Sequence, residues 1–92
     1  MTDQVINNEA RQRYELAVEG GISVAYYEPR GSVLALTHTV VPAKLQGRGL
    51  ASILIKGALA DIRRRGLKVA PDCPFVARYI EHHPEEADLL AQ

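Results

Sequence analysis

Six residues in the middle of the chain carry the clearest chemical pattern. Gln46-Gly47-Arg48-Gly49-Leu50-Ala51 falls between an apolar stretch and a long helical period. Two glycines let the backbone turn its N–H groups toward one point and let a ligand come close. The first turn of the following helix, through Ser52, adds N–H donors without helical partners and the positive end of the helix dipole. Lys44 and Arg48 bring charge to the same place. Together these residues read as a cradle for a phosphate-bearing anion. A plain strand-to-helix turn would use the same glycines. The pattern is not a P-loop, because no Gly-Lys-Ser/Thr follows. Nor is it the dinucleotide fingerprint, which needs a third glycine and a later acidic residue.

Other side chains invite chemistry singly. Cys73 precedes Pro74, which suits the first helical position, so Cys73 reads as a helix cap. A thiol at a helix N-terminus has a lowered pKa and is a better nucleophile, although Asp72 next door opposes that shift. The same cysteine also reads as a small buried hydrophobe. His38 has the side chain whose unperturbed pKa of ~6.5 lies nearest neutrality. By strand parity it shares a face with Leu34, Leu36 and Val40, where a satisfied core histidine would also sit. His82-His83 does not chelate one ion, since neighbours on a helix point about 100° apart. A turn earlier lie Arg78 and Tyr79, which are poor metal ligands. No metal site is expected. Arg63-Arg64-Arg65 lacks an aromatic platform, and aromatics total 5%. It reads as a solvated last turn of a helix rather than a nucleic-acid contact.

These residues need a scaffold. Residues 1–7 read as a flexible polar lead-in, and 8–92 as one domain. Arg13 to Glu19 alternates, with Tyr14, Leu16 and Val18 on one side, as a half-buried strand does. Gly20-Gly21 is a hairpin signal. A second alternating run follows at 22–28, and Pro29-Arg30-Gly31 is a turn. Residues 32–41 are apolar on both faces until Thr37, as in a strand flanked on both sides. Pro42 ends it. From 49 to 65 the period is helical, with Ala51, Leu54, Ile55, Ala58 and Ile62 in one stripe, widened by Leu50 and Leu59. Gly66 terminates that helix. Leu67 to Ala70 is a short strand, parallel to the one before the helix because a crossover precedes it. A second helix runs from about Pro74 to His83, where Pro84 breaks it. The order β-β-β-α-β-α gives a mixed sheet with helices packed on it, an α/β (α+β) chain.

Composition agrees and excludes other classes. Ninety-two residues, 47% apolar and 24% charged, make one soluble domain. Eleven basic and eleven acidic side chains cancel, so no global charge drives the chain to nucleic acid or membrane. The charge is uneven. Residues 44–68 hold seven basic side chains against Asp61 alone, leaving four basic and ten acidic elsewhere. That bias suits a local anionic ligand, or a solvated helix face. A lone cysteine excludes an internal disulfide and a C-x-x-C site. Met1-Thr2-Asp3-Gln4 shows no signal pattern. A reducing, cytoplasmic setting is expected.

Taken together, the residues resemble a known family. Gln46-x-x-Gly49-x-Ala51 is similar to the Q/R-x-x-G-x-G/A motif of the GNAT acetyltransferase superfamily. The likeness is nearest to its short single-domain branch. It runs through Asn8, Arg13-Tyr14-Glu15-Leu16, His38-Thr39-x-Val41-Pro42, Gly66-Leu67-Lys68-Val69-x-Pro71-x-Cys73-Pro74-Phe75, Tyr79-Ile80 and His83-Pro84-Glu85. The resemblance implies that residues 46–52 hold the pyrophosphate of acetyl-coenzyme A, with Lys44 or Arg48 near the phosphates. It implies acetyl transfer to an amine acceptor, with no metal. Backbone N–H groups of Thr39, Val40 and Val41 would then polarise the thioester carbonyl, and His38 would serve as base. Cys73 would be nucleophile, thiol acid or a contact to the sulfur end of the cofactor. Tyr79 is the tyrosine available in the second helix to protonate a leaving thiolate, although the family pattern falls on Ile80. The chain departs from the branch where Val40 follows Thr39 without a nearby carboxylate. It also lacks the helices that wall the acceptor site in larger members. The acceptor side is therefore expected to be open or completed by a partner, and an oligomer is allowed. A non-catalytic acyl-coenzyme A-binding or interaction module is the alternative.

Overall fold

The computed structural model describes residues 4–91. Five strands form one sheet in the order of the chain: β1 (Val5–Asn8), β2 (Arg13–Val18), β3 (Gly21–Arg30), β4 (Val33–Val40) and β5 (Lys68–Pro71). The first four pair antiparallel and β5 runs parallel to β4. Two α-helices, α1 (Leu50–Arg64) and α2 (Pro74–Glu81), flank β5 in sequence. The mixed sheet with packed helices is the expected class.

β1 is the main difference from the sequence expectation. The lead-in expected at residues 1–7 is a paired edge strand from Val5 onward, with Val5 opposite Leu16 and Asn7 opposite Tyr14; residues 1–3 lie outside the described chain. Its seat is made by Gly57 of α1. A Cβ added there would lie 2.5 Å from Val5 Cγ2 and 2.6 Å from Val5 Cβ, so only glycine lets the strand approach.

α1 forms because its apolar residues recur at helical spacing. Leu54, Ile55, Ala58, Leu59 and Ile62 are fully buried, each large side chain contributing about 1.5–3 kcal/mol. Its end is a Schellman turn, with Gly66 N–H donating to Arg63 O (3.0 Å) and Leu67 N–H to Ile62 O (3.1 Å). Gly66 at φ 72 makes that turn. One core joins α1 to Tyr14, Leu16, Ala25, Tyr27, Leu34, Leu36 and Val69 of the sheet and to Val76, Tyr79 and Ile80 of α2. The opposite face carries the exposed Ile6, Ile22 and Val40. No helix among the described residues is long and apolar enough to cross a membrane.

β4 contains a bulge that matters for the site. Tyr27 pairs with Leu36 and Tyr26 with His38, so Thr37 is the extra residue. Strand parity therefore inverts beyond it. His38 and Val40 pair with Tyr26 and Val24 on the face opposite Leu34 and Leu36, and both are exposed. The expectation that His38 shares the Leu34–Leu36 face is corrected by this one inserted residue.

Candidate acyl-coenzyme A site

The loop between β4 and α1 begins with a single 3₁₀ turn, Ala43–Leu45, whose Leu45 is buried. Gln46 then donates its side-chain Nε2–H to Val41 O (3.2 Å), tying the loop to the end of β4. Gly47 and Gly49 take φ 85 and φ 73, the left-handed region that disfavours other residues. Gly49 is the N-cap of α1 and brings no side-chain cap. Among the described residues, no backbone N–H from 47 to 52 donates to a protein acceptor. An added Cβ at Gly47 or Gly49 would meet nothing within 4 Å. Unpaired donors, a helix dipole and open space therefore coincide.

The basic run divides in two. Arg63 binds Asp88 and Glu86, Arg64 binds Asp61, and Arg65 binds Asp61 and Glu9. Their charge is answered inside the molecule. Lys44 and Arg48 are exposed and make no ion pair among the described residues. Free positive charge thus remains beside the loop.

A cleft of about 250 Å³ opens at the same place, lined by Val41, Leu45, residues 46 and 47, Gly49, Leu50, Ala51, Ser52 and Phe75. Its walls are mostly apolar. Phe75, the only phenylalanine of the chain, belongs to the motif that carries the family resemblance but was given no site role from sequence. A larger cleft of about 540 Å³ lies along Val5, Ile53, Gly57 and Ala60. It contains no residue of the pattern above.

Beyond the bulge, β4 and β5 part company. Their pairing ends at Leu36 opposite Pro71. Cys73 stands in the resulting gap. Its N–H donates to Leu36 O (2.8 Å), and its sulfur lies 3.5 Å from Thr39 Oγ1. It caps α2 with Pro74 behind it, and it is a buried free thiol. Thr39, Cys73 and the cleft residues are thus gathered at one end of the sheet.

His38 and Tyr79 stand apart from that group. His38 Nδ1 lies 3.2 Å from Thr37 Oγ1 on the opposite face. There it extends a row across the sheet through Tyr26 and Arg13. Arg13 donates to Glu15 (2.6 Å) and to the Tyr26 hydroxyl (3.2 Å). Tyr79 stacks on His83, ring centroids 3.9 Å apart. Burial, then the nearby Glu86 and Glu85, raises its phenol above the ordinary value. His83 Nδ1 lies 2.7 Å from Tyr79 O. No cluster of three or more metal-ligating side chains occurs among the described residues.

The comparisons with known proteins converge on one family. A family model described as GCN5-related N-acetyl-transferase matches residues 13–89. Protein NATD1 of Gallus gallus is 31% identical over 84 residues, covering 88% of this chain and 76% of that protein. Protein NATD1 of Mus musculus is 30% identical with the same coverage. A GCN5-like protein from Staphylococcus aureus, solved in solution by NMR, superposes with a TM-score of 0.73 at 19% identity, over 99% of this chain and 91% of that one. That likeness is one of fold. With the family pattern spanning all but the ends of the sequence, the chain belongs to the GCN5-related N-acetyltransferase family.

Proposed function

We propose that this chain binds acetyl-coenzyme A and transfers its acetyl group to a primary amine, in the cytoplasm, where Cys73 stays a thiol. The observation that carries the reading is the set of backbone amides at residues 47–52 with no acceptor among the described residues, beside two cations, Lys44 and Arg48, with no ion-pair partner among them. A diphosphate offers acceptors and charge to match both. The apolar walls at Val41, Leu45, Leu50 and Phe75 suit the pantetheine arm.

Acetyl-coenzyme A carries the acetyl group as an activated thioester. The amine nitrogen bonds to the carbonyl carbon, the C–S bond breaks, the nitrogen loses a proton and the departing sulfur gains one. The strand edge beyond Leu36 lacks a partner strand, so backbone N–H groups at Thr39 to Val41 are candidates to polarise the carbonyl. Cys73 faces the gap and has one of two roles: as thiol acid it gives its proton to the departing coenzyme A sulfur, or as nucleophile its sulfur bonds to the carbonyl carbon while the coenzyme A C–S bond breaks, and the amine then takes the acetyl group from Cys73 and restores the thiol. An acetylated Cys73 in the intact mass identifies the nucleophile role. His38 lies on the opposite face, from which the acceptor enters, and takes the amine proton there.

Calorimetric titration with coenzyme A tests the binding claim. Heat of binding is expected, and none at about 1 mM ligand, a level that detects even a weak complex, refutes it. A binding module without turnover is the second reading, favoured by the placement of His38 on the face opposite Thr39 and Cys73. Thiol release in the presence of a panel of amines separates the two. Binding without release for any amine supports the module.

A further inference from the structure

We propose that Thr39 is a positioning residue of the acyl-transfer site, its hydroxyl holding the Cys73 sulfur at the mouth of the gap between β4 and β5. The inference rests on the role given to Cys73 above. It starts from the bulge. Without the extra Thr37, residue 39 would follow the parity of residue 35 and point away from α1. With it, Thr39 pairs with Ala25 and shares its buried face. The inserted residue therefore turns this hydroxyl toward Cys73.

Two contacts from β4 then reach Cys73 on either side of the bulge. Leu36 O accepts the Cys73 N–H at 2.8 Å, and Thr39 Oγ1 lies 3.5 Å from Sγ. The first fixes the backbone at the start of α2. The second fixes the direction of the Cβ–Sγ bond. Thr39 Oγ1 has no other hydrogen-bond partner among the described residues, so its proton is available to the sulfur. A hydroxyl donor favours sulfur carrying negative charge, the form that reacts.

If Thr39 merely filled space, valine would serve as well, because it has the same shape without the hydroxyl. The test is the second-order rate at which iodoacetamide alkylates Cys73 in the native chain without cofactor, measured for wild type, Thr39→Val and Thr39→Ser. Thr39→Val is expected to react about three- to tenfold more slowly, the ratio an ordinary hydrogen bond supplies. Thr39→Ser is expected to stay within about twofold of wild type on the same scale. Equal rates for Thr39→Val and wild type overturn the proposal, and so does a Thr39→Ser as slow as Thr39→Val. Rates in denaturant, where all variants should agree, control for folding. If Thr39→Val does not fold, Thr39→Ala beside Thr39→Ser is read the same way. Coenzyme A titration of the unsubstituted chain reads the cofactor claim separately, so its failure is distinguishable from failure of the Thr39 contact.

Discussion

Replacing Gly49 with alanine separates the cost of strain from the cost to binding. Gly49 sits at φ 73, ψ 15 as the N-cap of α1, and an added Cβ would touch no protein atom within 4 Å. The stability cost is therefore conformational, about 1–2 kcal/mol for a left-handed residue. Reduced freedom of the unfolded chain returns roughly 0.4–1 kcal/mol of that. A net loss of about 1 kcal/mol lowers the melting temperature of a domain this size by roughly 4–8 °C. Gly66, at the other end of the same helix, provides a matched control. Its φ is 72 and its surroundings are equally open. Gly66→Ala should therefore melt as early as Gly49→Ala. The two variants should differ in coenzyme A affinity. The new methyl at 49 projects into the space assigned to the diphosphate, so Kd should rise at least about tenfold, or ~1.4 kcal/mol. At 66 it should not change. Calorimetry and thermal melts on the two variants measure both quantities. Equal affinities for Gly49→Ala and Gly66→Ala would refute the placement of the ligand.

Three further outcomes follow from the same geometry. Gly57→Ala should destabilise the fold by about 1–3 kcal/mol, since overpacking against Val5 outweighs the gain of about 1 kcal/mol in helix propensity; in a Val5→Gly background the same change should stabilise, and denaturant titration reads the sign. Tyr79→Phe should leave thiol release unchanged, because its ring stacks on His83 and its hydroxyl has no hydrogen-bond partner among the described residues; a loss above about tenfold would make Tyr79 the proton donor. Glu15 is held below its ordinary value of 4.5 by Arg13 first and then Asn8. Its stabilisation is complete above that value and is lost as pH falls through the lowered one, so between about pH 5 and 3 the melting temperature of wild type should fall more steeply than that of Glu15→Gln.

Much of the architecture was readable because it is local. The glycine pair at 20–21 makes the hairpin, the apolar stripe of α1 is buried as spaced, and Gly66 and Cys73-Pro74 end and begin helices where expected. What escaped depends on contacts distant in sequence. β1 has only Val5 and Ile6 as apolar residues, and it exists because Gly57, fifty-two positions beyond Val5, leaves room for it. The bulge at Thr37 has no residue signature, yet it decides which face His38 and Thr39 occupy. The cation run at 63–65 read as a solvated last turn of the helix. Its charges are met by Glu9, Asp61, Glu86 and Asp88, which only the fold brings near. The cradle itself was legible, because glycine spacing and a helix start are local facts.

The most direct measurement is a ¹⁵N-resolved NMR titration of the chain with coenzyme A and, separately, with pantetheine, which lacks the diphosphate. The account predicts that coenzyme A shifts the amide signals of residues 47–52 strongly and that pantetheine leaves them in place. Amides at 47–52 that do not respond to coenzyme A, while others do, would contradict it.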